Sequence, residues 1–246
     1  MKKRRIVFNM ALSSIVLILF TILYVATTVA YFSDHLKYSN EITAGNVKIE
    51  LSEAAVKKDP VGHFVKDPDS PRVSKPHYDY GTIYPSQSIF KDPNIKNVGS
   101  EDAWVAFKVT INDGRGDLRK LIGYPGSDHV DIHVFFSGAL FSERVQRDTW
   151  NNIPRVIYND NYAMAQIGYP DADKYEFYIF ILKPLAKNED VTIFDNMYVP
   201  EDWTNTEMQE LTDLKIDVEA FGVQTFNFDS CFTAMKTALP EYFPFN

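Results

Sequence analysis

Apolar side chains recur at every second position in several separate stretches of this 246-residue chain, a period that fits strands and does not fit helices. Val47, Ile49 and Leu51 alternate with Lys48 and Glu50. Val105, Phe107, Val109 and Ile111 alternate with Lys108 and Thr110, and Leu214, Ile216, Val218 and Ala220 alternate with Lys215, Asp217 and Glu219. Each run predicts a half-buried strand with one wet face. Tyr175 to Leu182 is eight consecutive residues dominated by aromatic and β-branched types, which predicts a central strand buried on both faces and stopped by Pro184. Val130 to Phe136 and Val191 to Met197 read as further strands.

The stretches between are less regular. Ser52 to Tyr80 carries Pro60, Pro68, Pro71 and Pro76 among charges and two histidines, and reads as an exposed loop with short extended pieces. Lys91 to Ser100 reads as a turn between two strands. Asn97 and Gly99 suit left-handed backbone there, and Glu101 and Asp102 keep it wet. Phe141 to Ala172 is polar, aromatic and poorly patterned, with a short helix expected over Phe141 to Asp148. Thr204-x-x-Glu207 has the form of a capping box for a helix to Leu211. Asp229 to Leu239 predicts a closing helix, capped near Asp229 and ended before Pro240. Many strands, long connections and few helices predict a mainly β chain, a jelly-roll-like β-sandwich with short helices.

The amino-terminal end has a different character. Lys2, Lys3, Arg4 and Arg5 precede the run Ile6 to Ala30, apolar except for Asn9, Ser13, Ser14 and a few threonines, long enough at about 1.5 Å per residue to span a hydrocarbon core. Four cations hold the near end on the cytoplasmic side. The small and β-branched exit Ala26-Thr27-Thr28-Val29-Ala30 predicts a signal helix cut between Ala30 and Tyr31, the alternative being a retained anchor. Either way the rest of the chain is expected outside the membrane, secreted or at the cell surface, with signal peptidase as a partner and membrane contact only through this segment. The division expected is a signal peptide over 1–30, an amino-terminal extension over 31–45 and one folded domain over 46–246.

Charge and cysteine content narrow the partners. Without residues 1–30 the chain keeps 21 basic against 33 acidic side chains, a balance of −12. That excess repels nucleic acid and anionic lipid, so a protein, a cation or a basic wall polymer is the expected partner. Cys231 is alone, which rules out an internal disulfide and predicts a small apolar residue packed on the closing helix.

Few residues suggest chemistry. His129, Asp131 and His133 share one face of the expected strand Val130 to Phe136, at a spacing that can place three metal ligands together; the plainer reading is a polar outer face. Arg115-Gly116-Asp117 is the tripeptide that integrin-binding proteins present, and as a surface adhesion site it competes with an ordinary solvated turn. No His-Glu-x-x-His, Gly-x-Ser-x-Gly or glycine-rich phosphate loop is present. No catalytic residue and no cofactor is expected.

The junction Thr28-Val29-Ala30-Tyr31-Phe32-Ser33-Asp34, followed by Ile42-Thr43-Ala44-Gly45-Asn46-Val47, resembles that of Gram-positive exported proteins cut by the SipW-type signal peptidase, the group of the TasA/camelysin (CalY) family of biofilm matrix proteins. The Lys91-Asp92-Pro93 to Trp104 turn, the Pro184 segment before Val191-Thr192-Ile193-Phe194, the Val199-Pro200-x-x-Trp203 run and the strand from Leu214 to Gln224 are similar to features of the same class. Where that pattern has Pro-Gly, this chain has Pro85-Ser86 and Pro184-Leu185, which predicts turns of different geometry. The resemblance implies an extracellular matrix protein that builds fibres by donor-strand exchange, with itself or another matrix protein. The donor strand would begin Tyr31-Phe32-Ser33-Asp34 and extend to Glu41. Because camelysin-like proteins have been classed as metalloproteases, it also raises zinc hydrolysis as an alternative, with His129, Asp131 and His133 the residues available.

Overall fold

The computed structural model describes residues 33–36, 47–74, 80, 83–112, 136–138, 146–150, 153–171, 174–204, 206, 208 and 214–245. In chain order these form β1 (Ser33–Leu36), β2 (Ile49–Ser52), β3 (Val56–Lys58), β4 (Phe64–Lys66), β5 (Ser88–Phe90), β6 (Asn94–Asn97), β7 (Ala103–Asn112) and β8 (Phe136–Ser137). There follow β9 (Gln146–Trp150), β10 (Ile153–Tyr158), β11 (Tyr162–Asp171), β12 (Lys174–Ile181), β13 (Asp190–Thr192), β14 (Asn196–Tyr198), β15 (Lys215–Gln224) and the helix α1 (Cys231–Ala238). The chain is mainly β. One sheet has seven strands in the order β1-β15-β7-β12-β11-β10-β9, and two smaller sheets run β13-β6-β2 and β3-β4-β5-β14-β8.

The middle of the large sheet is buried on both faces, over Ala103 to Phe107 of β7 and Phe177 to Ile181 of β12, and successive residues there enter two different cores. Val105, Phe107, Val109 and Ile111 of β7, Phe177 and Ile179 of β12, and Val218 and Ala220 of β15 point into one core. There they meet Ile49 and Leu51 of β2, Ile95 of β6, Ile89 of β5, Phe136 of β8 and Met197 of β14 from the smaller sheets. That contact makes the chain a sandwich. The intervening residues Trp104, Ala106, Tyr178, Phe180, Phe221 and Val223 form a second core beneath α1 and the carboxy-terminal tail. Full burial of each large apolar side chain contributes roughly 1.5–3 kcal/mol relative to leaving it exposed.

Ser230 starts α1 as its N-cap, its side-chain oxygen accepting from the Thr233 N–H at 3.2 Å. Cys231, Phe232, Ala234 and Met235 face the sheet. Phe180 then gathers Phe232, Phe243 and Phe245 at centroid distances of 5.6, 5.7 and 5.7 Å, the aromatic cluster that fixes the tail.

Several expectations need correction. Phe141 to Ala172 contains β9, β10 and β11 of the large sheet, and β9 takes residues assigned above to a short helix. Asn159 closes the β10–β11 hairpin, its Oδ1 accepting from the Asn161 and Tyr162 N–H groups at 2.8 and 3.0 Å. Val191 to Met197 is two short strands, not one: β13 pairs with β6 and β14 with β5, so the chain changes sheets at Ile193 to Asp195. Asn97 and Gly99 do not adopt left-handed backbone. Asn97 is a buried residue of β6 whose Nδ2 donates to the carbonyls of Glu101 and Leu185, while its Oδ1 accepts from Gly99 N–H. The proline-rich stretch supplies β3 and β4 to the five-stranded sheet.

The two turns without glycine differ from each other. Ser86 sits at φ 64°, the left-handed position after Pro85 in a turn closed by Gln87 N–H to Tyr84 C=O at 3.1 Å. Serine there keeps the geometry that glycine favours. Leu185 instead forms an isolated antiparallel bridge with Ala103.

Candidate functional site

Two places in the sandwich join residues that sequence reading singles out. The first surrounds Lys91-Asp92-Pro93, between β5 and β6. Lys91 Nζ lies 2.7 and 3.0 Å from the two carboxylate oxygens of Glu53, and the two side chains are 8% and 1% exposed. Next to it, Asp92 Oδ1 accepts from Ala54 N–H at 2.7 Å, and Asp92 Oδ2 accepts from Arg72 at 2.6 Å. Arg72 also donates to the Asp92 and Ser52 carbonyls at 2.8 and 3.0 Å. Bidentate and main-chain bonds of this kind compensate much of the cost of taking the charges out of water. The cluster ties the end of β2, the β5–β6 connection and the Arg72–Val73 segment into one body; Glu53 and Val73 exchange backbone hydrogen bonds at 3.0 and 2.7 Å.

The second place is the edge of the large sheet. β15 pairs along all ten residues with β7 on one side. On the other side it pairs antiparallel with β1 through Ser33 with Val223, Asp34 with Gly222, His35 with Phe221, and Leu36 with Ala220. β1 therefore covers only the second half of β15. Among the described residues no strand pairs with Lys215 to Glu219 on that side. Beneath this edge Gly222 lets β2 approach: a Cβ there would stand 2.9 Å from Ile49 Cγ2.

Outside the edge the large sheet carries a polar patch beyond α1. Lys108 Nζ is 2.8 Å from Glu176 and 5.9 Å from the Tyr178 ring centroid. Tyr178 donates its hydroxyl to the Tyr242 carbonyl at 2.8 Å. Burial first, then the charges of Glu176 and Glu219, raise its ionisation well above that of an ordinary tyrosine. Burial likewise pushes the Cys231 thiol up. Cys231 Sγ lies 3.2 Å from the Val105 carbonyl, and the residue packs on the closing helix as expected.

Of the residues proposed from sequence, Ser33 and Asp34 lie in β1. Ala30, Tyr31 and Phe32, the tripeptide Arg115, Gly116 and Asp117, and the triplet His129, Asp131 and His133 lie outside the described residues. Among the described residues no group of three His, Cys, Asp or Glu side chains is placed to hold a metal ion. The buried Glu53–Lys91 pair and the pairing of exposed Arg72 with buried Asp92 were not anticipated. Their only sequence signal was a pair of charges directly before a proline. No family model, curated protein or solved structure matches this chain.

Proposed function

We propose that this chain is an exported structural protein of the cell surface or extracellular matrix, which assembles with copies of itself by donating its amino-terminal strand. The observation that carries the reading is β1: four residues at the outer edge of β15, joined to it through the main chain. An edge strand of that kind is transferable. Main-chain hydrogen bonds to β15 are the same whether the strand comes from the same chain or from a neighbour, and the exchange satisfies an edge that otherwise invites uncontrolled association. A donor at one end of the chain and an acceptor on the domain make a heterologous contact, which grows into a fibre because it does not close. Removal of the leader after Ala30 is the step that releases the donor.

The test compares protein comprising residues 31–246 with protein comprising residues 42–246 by electron microscopy and sedimentation. Filaments from the first and none from the second are expected. Equal filament formation by both eliminates the donor.

A further inference from the structure

Three of the five large apolar side chains left exposed among the described residues are carried at one end of the five-stranded sheet. They are Val61, Tyr84 and Tyr198, 77%, 61% and 39% exposed. They come from separate parts of the chain: the loop between β3 and β4, the turn before β5, and the last residue of β14. Buried Gln87 joins all three. Its Nε2 donates to the Gly62 carbonyl at 2.7 Å, its Oε1 accepts from the Tyr84 N–H at 3.0 Å, and its carbonyl accepts from the Val199 N–H at 3.0 Å. The Ser86 N–H donates in turn to the Val199 carbonyl at 3.0 Å, and Tyr198 lies opposite Ser88 where β14 pairs with β5.

These loops are held in shape from within. Asp59 Oδ1 accepts from the Val61 and His63 N–H groups at 3.0 and 2.8 Å, and His63 Nδ1 accepts from the Ser88 N–H at 3.0 Å. A surface whose loops are already ordered gives up little freedom when it binds. Two carboxylates hang from the same frame. Directly after Tyr198, buried Val199 and buried Trp203 bracket a turn closed by the Trp203 N–H to the Pro200 carbonyl at 3.5 Å, and the turn leaves Glu201 and Asp202 exposed. Lys58, at the foot of the β3–β4 hairpin, holds its Nζ 4.9 Å from the Phe64 ring centroid.

Tyrosine rings and carboxylates in one place select for a particular kind of ligand. The ring face is negative, so it attracts cations as well as flat apolar surfaces, and the two carboxylates attract cations too. We propose that this loop cluster is a docking surface for a polymer of glucosamine with free amino groups, a basic polysaccharide of the wall or matrix. Each pyranose of such a polymer carries its ammonium directly on a rigid ring whose C–H face packs on tyrosine. A lysine-rich peptide offers the same charge at the end of a long stem, and ordering that stem costs more side-chain entropy than any other residue type demands. The overall excess of acid over base favours the same cationic ligand at longer range.

The test uses the full chain, expressed with its own leader and recovered outside the cell, titrated calorimetrically with glucosamine oligomers, N-acetylglucosamine oligomers and oligolysine of equal length. Wild type should bind the glucosamine oligomer, and loss of the charge on acetylation should weaken binding about tenfold. Replacing both rings, as Y84A/Y198A, should lower affinity about tenfold. E201Q/D202N should lower it about three- to tenfold, an effect that shrinks at high salt. The control E101Q/D102N makes the same charge change at two exposed residues between β6 and β7 and should stay within about twofold of wild type. Circular dichroism verifies the fold of each variant. The proposal is overturned if wild type does not bind, if the acetylated oligomer binds as tightly, or if the control loses as much as E201Q/D202N, which would make bulk acidity the cause. Oligolysine binding as tightly as the sugar, with the same response to the variants, replaces the polysaccharide by a basic peptide and overturns it too. None of these outcomes bears on the strand donor.

Discussion

Replacing Lys91 by Met should cost this protein much of its stability. The ammonium stands 2.7 Å from Glu53 Oε1, and at an effective dielectric constant of about 20 the gross attraction is about 6 kcal/mol. Taking both charges out of water opposes this by several kcal/mol per ion, so the net worth of the pair is small. The asymmetry lies in breaking it. Lys91→Met removes the ammonium 2.7 Å from the Glu53 carboxylate, which is 1% exposed, and should lower the unfolding free energy by about 3–5 kcal/mol. Adding Glu53→Met removes the buried carboxylate as well, and two linear side chains of similar volume should recover most of the loss. The measurement is urea unfolding followed by tryptophan fluorescence, with Trp104 and Trp203 as the buried reporters. A loss below about 1 kcal/mol for Lys91→Met, or a double variant less stable than the single one, would refute the assignment of this pair as a buried charge locked by its partner.

Other substitutions test the packing and the turns. Ser86→Gly should raise stability by about 0.5–1 kcal/mol, because glycine adopts φ 64° without the clash a Cβ brings; a loss would show that the serine side chain matters more than the backbone. Gly222→Ala should cost about 1–3 kcal/mol through its contact with Ile49, and the cost should shrink in an Ile49→Ala background, a non-additivity that thermal melts of the four proteins would reveal. Stability should fall as pH rises past about 10, since the unfolded state releases the Tyr178 proton there while the folded state still holds it. The slope reaches at most about 1.4 kcal/mol per pH unit for the one group, and Tyr178→Phe should flatten the curve. Ser230→Ala should cost about 1 kcal/mol by removing the cap of α1, read as a shift of the denaturation midpoint.

What the sequence conveys here depends on how many faces of a strand are buried. β2, β7 and β15 alternate visibly because one row of each includes charged residues such as Glu50, Lys108 and Asp217, and all three are legible. β12 is legible through its run of aromatic and β-branched residues. β11 fails both tests: Tyr162 and Met164 enter the sandwich core while Ala163 and Ala165 lie beneath α1, so small residues replace polar ones and the period vanishes. Lys91 and Asp92 mislead in the opposite way. Charges before a proline read as a wet turn, and their burial follows from Glu53 and Arg72, which reach them only once the chain has folded. The edge of β15 becomes meaningful only with the β1 register, which pairs residues at opposite ends of the chain.

That last pairing also governs the order of events during folding. Ser33 and Val223 are separated by about 190 residues. The first strand out of the ribosome therefore waits for the last, about 10–40 s at 5–20 residues per second. Closing a loop of that length from an unfolded chain costs about 5 kcal/mol of entropy before any hydrogen bond returns it. A finished β15 on a neighbouring molecule requires no such closure. Crowding many nascent copies together shortens the search for a partner without changing the distance between the two ends of any one chain, so the topology itself makes local concentration the variable that selects between a closed monomer and a growing chain of them.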